Sequence, residues 1–289
     1  MQDVAALRTG CRLAERLQIL KSILDSQGKS MNNSTIRISR LSWAGIQISY
    51  GSSTIVIDLL ENLEALRSLV GAPRGEAVPS ADQLDAALVT HLHADHYDPL
   101  TLRRRLRSDA DVLCHVANEA TINGDGFHAR AAVIDQPTQV GPFRVTALSA
   151  VDGLGDPQVS YMVEFDELKI LHCGDTLWHG NWWKIRERFG SVDIAFLPIN
   201  GVTIEFPGMK PSGFPVDLTP AQAAAAADIL GAKTVCPIHY KLFDNPPVYS
   251  EWPDAEKVFL AAAAQRGVGV EIVEPGKEVS ISAEKSLAS

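Results

Sequence analysis

No stretch of this chain is long and apolar enough to cross a membrane, which takes about twenty consecutive apolar residues. The first residues also lack a basic start, an apolar block and a small-residue cleavage site, so a secretory leader is not expected. Cysteine is scarce: Cys11, Cys114, Cys173 and Cys236 have no pairing spacing. The last three sit in apolar, strand-like runs, where a thiol behaves as a small hydrophobe, and this pattern fits reduced thiols in a cytoplasmic protein. Positive charge is in deficit as well. Lys and Arg number 26 against 35 Asp and Glu, giving a net charge of −9. Nucleic acid, which demands a basic face, is not an expected partner. No flavin or iron–sulfur motif, short repeat or low-complexity linker occurs.

What remains is an ordinary globular composition, 46% hydrophobic and 21% charged over 289 residues. Leu13, Leu17, Leu20 and Leu24 form one helical stripe, which Gln27-Gly28-Lys29-Ser30 ends. Residues 1–30 therefore read as an N-terminal helical extension, open to a docking or dimerisation role, and 31–289 as the main domain. Within it, β-rich runs at Ile36–Leu41, Gly45–Tyr50 and Thr54–Asp58 suggest a meander. Further strands are expected at 86–90, 112–116, 131–134, 143–148, 158–165, 168–173, 193–198 and 234–238, and near 269–273 and 278–282. Asp98-Pro99 starts a basic helix over 99–107, whose arginines read as a solvated face. Thr219-Pro220 starts an alanine-rich helix over 220–230, ended by Gly231, and a last helix spans 253–266. Residues 200–217 read as a Gly- and Pro-rich loop. The class is α/β, one layered domain with sheets inside and helices outside.

The run Thr90-His91-Leu92-His93-Ala94-Asp95-His96 carries the chemistry. Three of the chain's eight histidines fall within it, directly after the apolar strand Ala86-Ala87-Leu88-Val89. His91 and His93 alternate, so on extended backbone they point the same way, and Asp95 and His96 follow where the chain can turn. Neutral imidazoles and carboxylates suit zinc and its first-row neighbours. Left buried without a metal, such groups would repel or stay unsatisfied. Three later residues follow apolar strands in the same way: Asp152, Asp175 and His239. Together they supply enough ligands for two metals.

His91-Leu92-His93-Ala94-Asp95-His96 resembles the HxHxDH signature of the metallo-β-lactamase superfamily. Leu41-Ser42-Trp43-Ala44-Gly45-Ile46, Ile55-Val56-Ile57-Asp58, Gly174-Asp175-Thr176 and Pro237-Ile238-His239-Tyr240 fall in the order expected of it. The resemblance runs from about Ile36 to Ile281. It is most similar to the branch holding the ascorbate-phosphate lactonases and the N-acylethanolamine-type phospholipase D. It implies an αββα four-layer sandwich and two divalent ions, Zn2+ first, with Mn2+ or Fe as alternatives. It implies His91 and His93 on the first ion, Asp95 and His96 on the second, Asp175 bridging, and His239 completing the second. The remaining first-ion position is normally a histidine; here it reads Asp152, a harder and more anionic donor. Asp95 is implied as the catalytic residue that orients the attacking water, and Asp58 as the holder of a ligand histidine. The implied activity is metal-dependent hydrolysis of a small-molecule lactone, ester or amide. A phosphodiesterase or phospholipase-type hydrolase is the rival, and a di-iron redox protein stands behind it. β-Lactam hydrolysis is disfavoured by the missing leader. His179, Trp178, Tyr240 and Lys241 are candidate substrate contacts, with Trp182 and Trp183 nearby in sequence. His172 is expected to be a structural hydrogen-bonder, His115 a core residue and His128 an exposed one. The alanine-rich helix and the N-terminal leucine stripe are candidate surfaces for a homo-oligomer.

Overall fold

The computed structural model describes residues 35–281. All but 35 and 36 belong to one compact unit, Arg37–Ser289. The expected helix within residues 1–30, and Cys11 with it, lie outside the described residues. Six strands form the first sheet in chain order: β1 (Arg37–Arg40), β2 (Ile46–Tyr50), β3 (Ser53–Ile57), β4 (Leu84–Leu88), β5 (Leu106–His115) and β6 (His128–Ala132). The hairpins β1–β2–β3 are antiparallel, and β3 to β6 run parallel. The second sheet has the order β13-β11-β10-β9-β8-β7, with β7 (Pro137–Val140), β8 (Phe143–Ser149), β9 (Val159–Phe165), β10 (Leu168–His172), β11 (Ile194–Pro198) and β13 (Thr234–Ile238). Its three C-terminal strands, β10, β11 and β13, are parallel.

Helices cover the outer faces. On the first sheet, α2 (Pro99–Arg105) and α3 (Glu119–Gly124) contribute Leu102 and Ile122 to a core with Val56, Ala87, Val112 and Cys114. A short α1 (Arg67–Val70) precedes them. On the second sheet lie α4 (Asn181–Phe189), α5 (Pro220–Leu230) and α6 (Ala255–Arg266), packed over Leu171, Ala195, Leu197 and Val235. The layers are therefore α, β, β and α, as the resemblance implied. Tyr161 of β9 ties the sheets: its hydroxyl lies 3.1 Å from the carbonyls of both Val89 and Leu113.

The ends of α2 and α5 follow local chemistry. Asp98 accepts the Thr101 N–H at 3.0 Å ahead of Pro99. Thr219 and Gln222 close a reciprocal capping box, and Gly231 ends α5 in the left-handed region. The basic helix stops at Arg105 rather than 107, because Leu106 already pairs with Leu84 in the sheet. Four alanines of α5, Ala223, Ala224, Ala226 and Ala227, are fully buried against the neighbouring helices and sheet, while Ala221 is exposed. Near 269–273 and, among the described residues, 278–281 only single bridges form, Val235 with Val270 and Ser39 with Glu278. The loop 200–217 holds a two-residue strand, β12 (Thr203–Ile204), paired with β14 (Tyr249–Ser250). Two residues are too few to show a period, so the sequence concealed them. Cys114, Cys173 and Cys236 are free and buried, and burial pushes each thiol up to about 12. Among the described residues no helix is long and apolar enough to cross a membrane.

Candidate metal centre

The loops after β3, β4, β8, β10, β11 and β13 converge at one end of the two sheets, and each delivers a polar residue: Asp58, His91 to His96, Asp152, Asp175, Asn200 and His239. Two donor groups result, His91, His93, Asp152 and Asp175, then Asp95, His96, Asp175 and His239. Within each, one atom per residue lies within 4.8 Å of all the others. Asp175 belongs to both. Its Oδ1 lies 3.1 Å from His91 Nε2, and its Oδ2 lies 3.6 Å from His96 Nε2 and 3.8 Å from His239 Nε2.

The surrounding hydrogen bonds decide which nitrogen of each imidazole faces inward. Asp58 is fully buried and accepts the Thr90 N–H at 2.9 Å and the Thr90 hydroxyl at 2.8 Å. It also lies 2.8 Å from His96 Nδ1, which therefore donates to it. With its hydrogen committed to Asp58, the Thr90 hydroxyl accepts from His91 Nδ1 at 3.0 Å. Both rings thus turn Nε2 inward, with a free lone pair on each neutral imidazole. His93 is turned the other way: its Nε2 meets Asp156 at 2.9 Å, and Nδ1 lies 3.8 Å from Asp152 Oδ1. Asp152 uses Oδ2 to accept the Leu154 and Asp156 N–H groups, leaving Oδ1 for the centre. Trp43 Nε1 donates to Asp95 at 3.0 Å while its ring packs on His239, centroids 4.1 Å apart.

Backbone strain collects here. Asp58 and His239 hold φ of 50° and 58°, a region costly for residues other than glycine. Gly174, at φ 64°, sits so close to Thr90 that a Cβ would come within 2.9 Å of its hydroxyl. The β10 turn therefore needs glycine to bring Asp175 under the Thr90–His91 hinge.

These donors fit a metal. His91 Nε2, His96 Nε2 and Asp175 Oδ1 are buried, face one another and have no hydrogen-bond partner. Leaving such atoms bare costs about 1–3 kcal/mol each, which a shared cation removes. Electrostatics point the same way. Burial disfavours the charged form of His96, yet Asp175, Asp95 and Asp58 outweigh it and push its pKa up to about 9. For His239 burial again opposes, but Asp217, Asp95 and Asp175 raise it to about 10. Burial alone would raise Asp95 and Asp175; the facing histidines instead hold both well below the usual carboxylate range. The carboxylates have made a place for positive charge, which protons fill when no cation does.

A pH dependence follows. Below about pH 9 to 10 the metal-free chain carries protons on His96 and His239 that binding must expel. Metal affinity is expected to rise through the neutral range, by about one decade per pH unit for each proton released, and to level off above about pH 10. Because both folded values lie above the unfolded value near 6.5, their contribution to metal-free stability is complete below that pH and fades as pH rises through 9 to 10. Calorimetry of zinc binding at pH 7.5 in buffers of different ionisation enthalpy reads the protons directly. Release of none would contradict this charge arrangement.

The four candidate substrate contacts are not brought to the centre. His179 is buried and stacked on Trp182, with centroids 4.0 Å apart, and burial lowers its pKa to about 4. Trp178 leans on Trp182 and Trp183, half-exposed. The Tyr240 hydroxyl donates to Glu256, and Lys241 pairs with the same carboxylate. The cavity beside the donors, about 190 Å3, is lined by none of these four. His239 and Lys241, on either side of Tyr240, hold φ of 58° and 69°, and the turn sends Tyr240 and Lys241 to Glu256. His172 is a structural hydrogen-bonder, 2.7 Å from the Ala44 carbonyl, and His128 is exposed. His115, expected in the core, is half-buried at the end of β5 and caps the next turn by accepting the Ala117 N–H.

Sequence reasoning passed over Trp43, Thr90, Asp156, Asn200, Asp217 and Tyr249. Asp217 is 2% exposed and lies 3.2 Å from His239 Nδ1. Burial, with Asp175's charge next, raises its pKa. Asn200 sits 3.0 Å from both His239 Nδ1 and the Tyr249 hydroxyl. Nothing in the Gly- and Pro-rich text around Asp217 marks it. In the sequence Trp43 shows only as a hydrophobe.

A pair of mixed sheets that brings two such donor sets to one end, inside an α–β–β–α stack, is the build of the metallo-β-lactamase superfamily, and the class it defines is a metal-dependent hydrolase. The chain matches the family profile described as a beta-lactamase superfamily domain over residues 54–240, and it belongs to that family. It is 27% identical over 249 residues to a UPF0173 metal-dependent hydrolase of Thermococcus onnurineus, covering 84% of this chain and 98% of the relative. In structure it is similar to Igni18, a metallo hydrolase from Ignicoccus hospitalis, with TM-score 0.65, 20% identity and coverage of 84% and 97%. It also shares its fold with CmlA, a diiron β-hydroxylase from Streptomyces venezuelae, at TM-score 0.66 and 15% identity, over 85% of this chain and 54% of that one.

Proposed function

We propose that this chain hydrolyses a small-molecule lactone, ester or amide with a pair of divalent ions, Zn2+ first. His91, His93, Asp152 and Asp175 would hold one ion, and Asp95, His96, Asp175 and His239 the other. The observation that carries this reading is the shared carboxylate, Asp175, between two facing donor sets with bare inward atoms. Bound there, the ions would acidify water and polarise a carbonyl oxygen. The chain's own residues do the rest. Asp95, kept ionised and fixed by Trp43, orients the attacking water by accepting its O–H. Asp95 then passes that proton to the leaving oxygen. Asp58 and Asp156 fix the rings of His96 and His93, so the donors need little reorganisation.

Asp152 supports a second reading in one respect. As a third carboxylate donor it makes the first set harder, and thus more open to manganese or iron. Elemental analysis of protein purified without chelator or added metal separates the readings. About two equivalents of zinc or manganese per chain are expected. One equivalent would overturn the dinuclear reading, and two of iron would favour redox chemistry. On Asp152→His, the same measurement under zinc–manganese competition is expected to move selectivity toward zinc by about tenfold. An unchanged ratio would mean that Asp152 only ties its loop.

A further inference from the structure

The cavity beside the donors has two chemically opposite halves. Its floor is acidic: Asp95, Asp152, Asp175 and Asp217 all line it. Its walls are apolar, with Leu66, Leu69 and Val70 on one segment and Val202, Ile204, Phe206 and Val216 on another. Among the described residues no lysine or arginine lines it. The cations that would serve an anionic substrate are spent or turned elsewhere. Lys241 pairs with Glu256, Arg105 with Glu61 and Asp82, and Arg107 with Asp85. Lys210 is exposed and outside the lining. With two divalent ions bound, the lining aspartates would offset much of their charge, and no side-chain cation is added to draw in a phosphate.

Resting on the hydrolase reading above, we infer that the substrate is a neutral acyl compound whose non-reacting part is a compact apolar group, held between the Leu69–Val70 and Ile204–Val216 walls. The volume sets its size: a cavity of about 150 Å3 takes up benzene, and this one measures about 190 Å3. The ions, the water and the reacting carbonyl share that space, so roughly six to eight heavy atoms of substrate, acyl group included, fill it. Gly153 shapes the same space, since a Cβ there would lie 2.0 Å from the Val216 carbonyl. Hydrolysis forms a carbon–oxygen bond from water to the carbonyl carbon and breaks the acyl–oxygen bond. One proton of the water ends on the leaving oxygen and the other is released.

The test uses the zinc-loaded full chain with γ-lactones of increasing alkyl side chain, followed by pH-stat, and bis(p-nitrophenyl) phosphate beside them. kcat/KM is expected to rise about fourfold per methylene and to flatten once roughly six to eight heavy atoms are buried. Leu69→Lys, at a half-exposed position that tolerates charge, is expected to erase that slope, and Lys210→Ala to leave it intact. A second readout needs no turnover. Benzamide, neutral and of about the cavity's size, is expected to bind the metal-free chain in saturation-transfer NMR and to lose binding in Leu69→Lys. Faster turnover of the phosphodiester than of any lactone, or rates flat in chain length, would overturn the inference while leaving a hydrolase. No turnover of either substrate class while benzamide still binds would instead overturn the lactone, ester or amide hydrolysis on which it rests.

Discussion

Replacing Asp175 with alanine is expected to reduce hydrolysis by at least about a thousandfold and to strip both metal equivalents. Its two oxygens lie between 3.1 and 4.0 Å from nitrogens of His91, His93, His96 and His239, and among the described residues no other side chain belongs to both donor sets. Losing the ions removes several kcal/mol of transition-state stabilisation, and each 1.4 kcal/mol is a decade in rate. The metal-dependent part of the melting temperature should vanish with it, since a ligand that binds only the folded state stabilises by mass action. His128→Ala is the control: its ring is exposed and contacts Asp111, far from the donors in the first sheet. Equal loss of metal in the two variants would refute the donor assignment.

Asp58→Ala is expected to be the most destabilising single change at this end of the molecule, by about 3–5 kcal/mol. It would leave the Thr90 N–H, the Thr90 hydroxyl and His96 Nδ1 without their shared acceptor in a fully buried place. Asp58→Asn separates folding from chemistry. Asparagine tolerates the positive φ of this position, so the β3 turn survives. Its amide nitrogen, however, donates where a carboxylate oxygen accepted, which drives the His96 hydrogen onto Nε2 and blocks the inward lone pair. The Asn variant is therefore expected to keep its fold, with about 1–3 kcal/mol lost, while metal affinity falls about 10- to 100-fold. Urea melts and competitive chelator titrations measure the two quantities. Undiminished metal affinity in Asp58→Asn would show that Asp58 supports only the backbone.

How much of this was legible in the text depends on distance along the chain. His91 to His96 announced themselves because four donors share one loop, and contiguous donors need no fold to be seen. Asp152, Asp175 and His239 were readable only as acids or imidazoles after apolar strands, and the resemblance supplied their grouping. α5 was read to the residue because its ends are local: a capping box and a glycine. β12 and β14 were invisible, being two residues each, and α4 was passed over because tryptophans and arginines hide its apolar stripe of Trp182, Ile185 and Phe189. Trp178 and His179 pack on Trp182, and Tyr240 and Lys241 turn to Glu256 for a backbone reason. Nearness in sequence to a ligand says nothing of direction once the backbone turns, as it does at His239 and Lys241.

The sequence by itself determined the class: alternating strands and capped helices, and a contiguous donor run whose chemistry admits few readings. Periodicity, capping and ligand spacing are local physics, written within a few residues. Only the tertiary structure decided which nitrogen of each histidine faces inward, that Asp217 and Trp43 belong to the centre, and that the cavity walls are apolar and free of cations. Those properties arise where six loops from two sheets meet, and the partners are set by packing between segments up to about 180 residues apart, from Asp58 to His239.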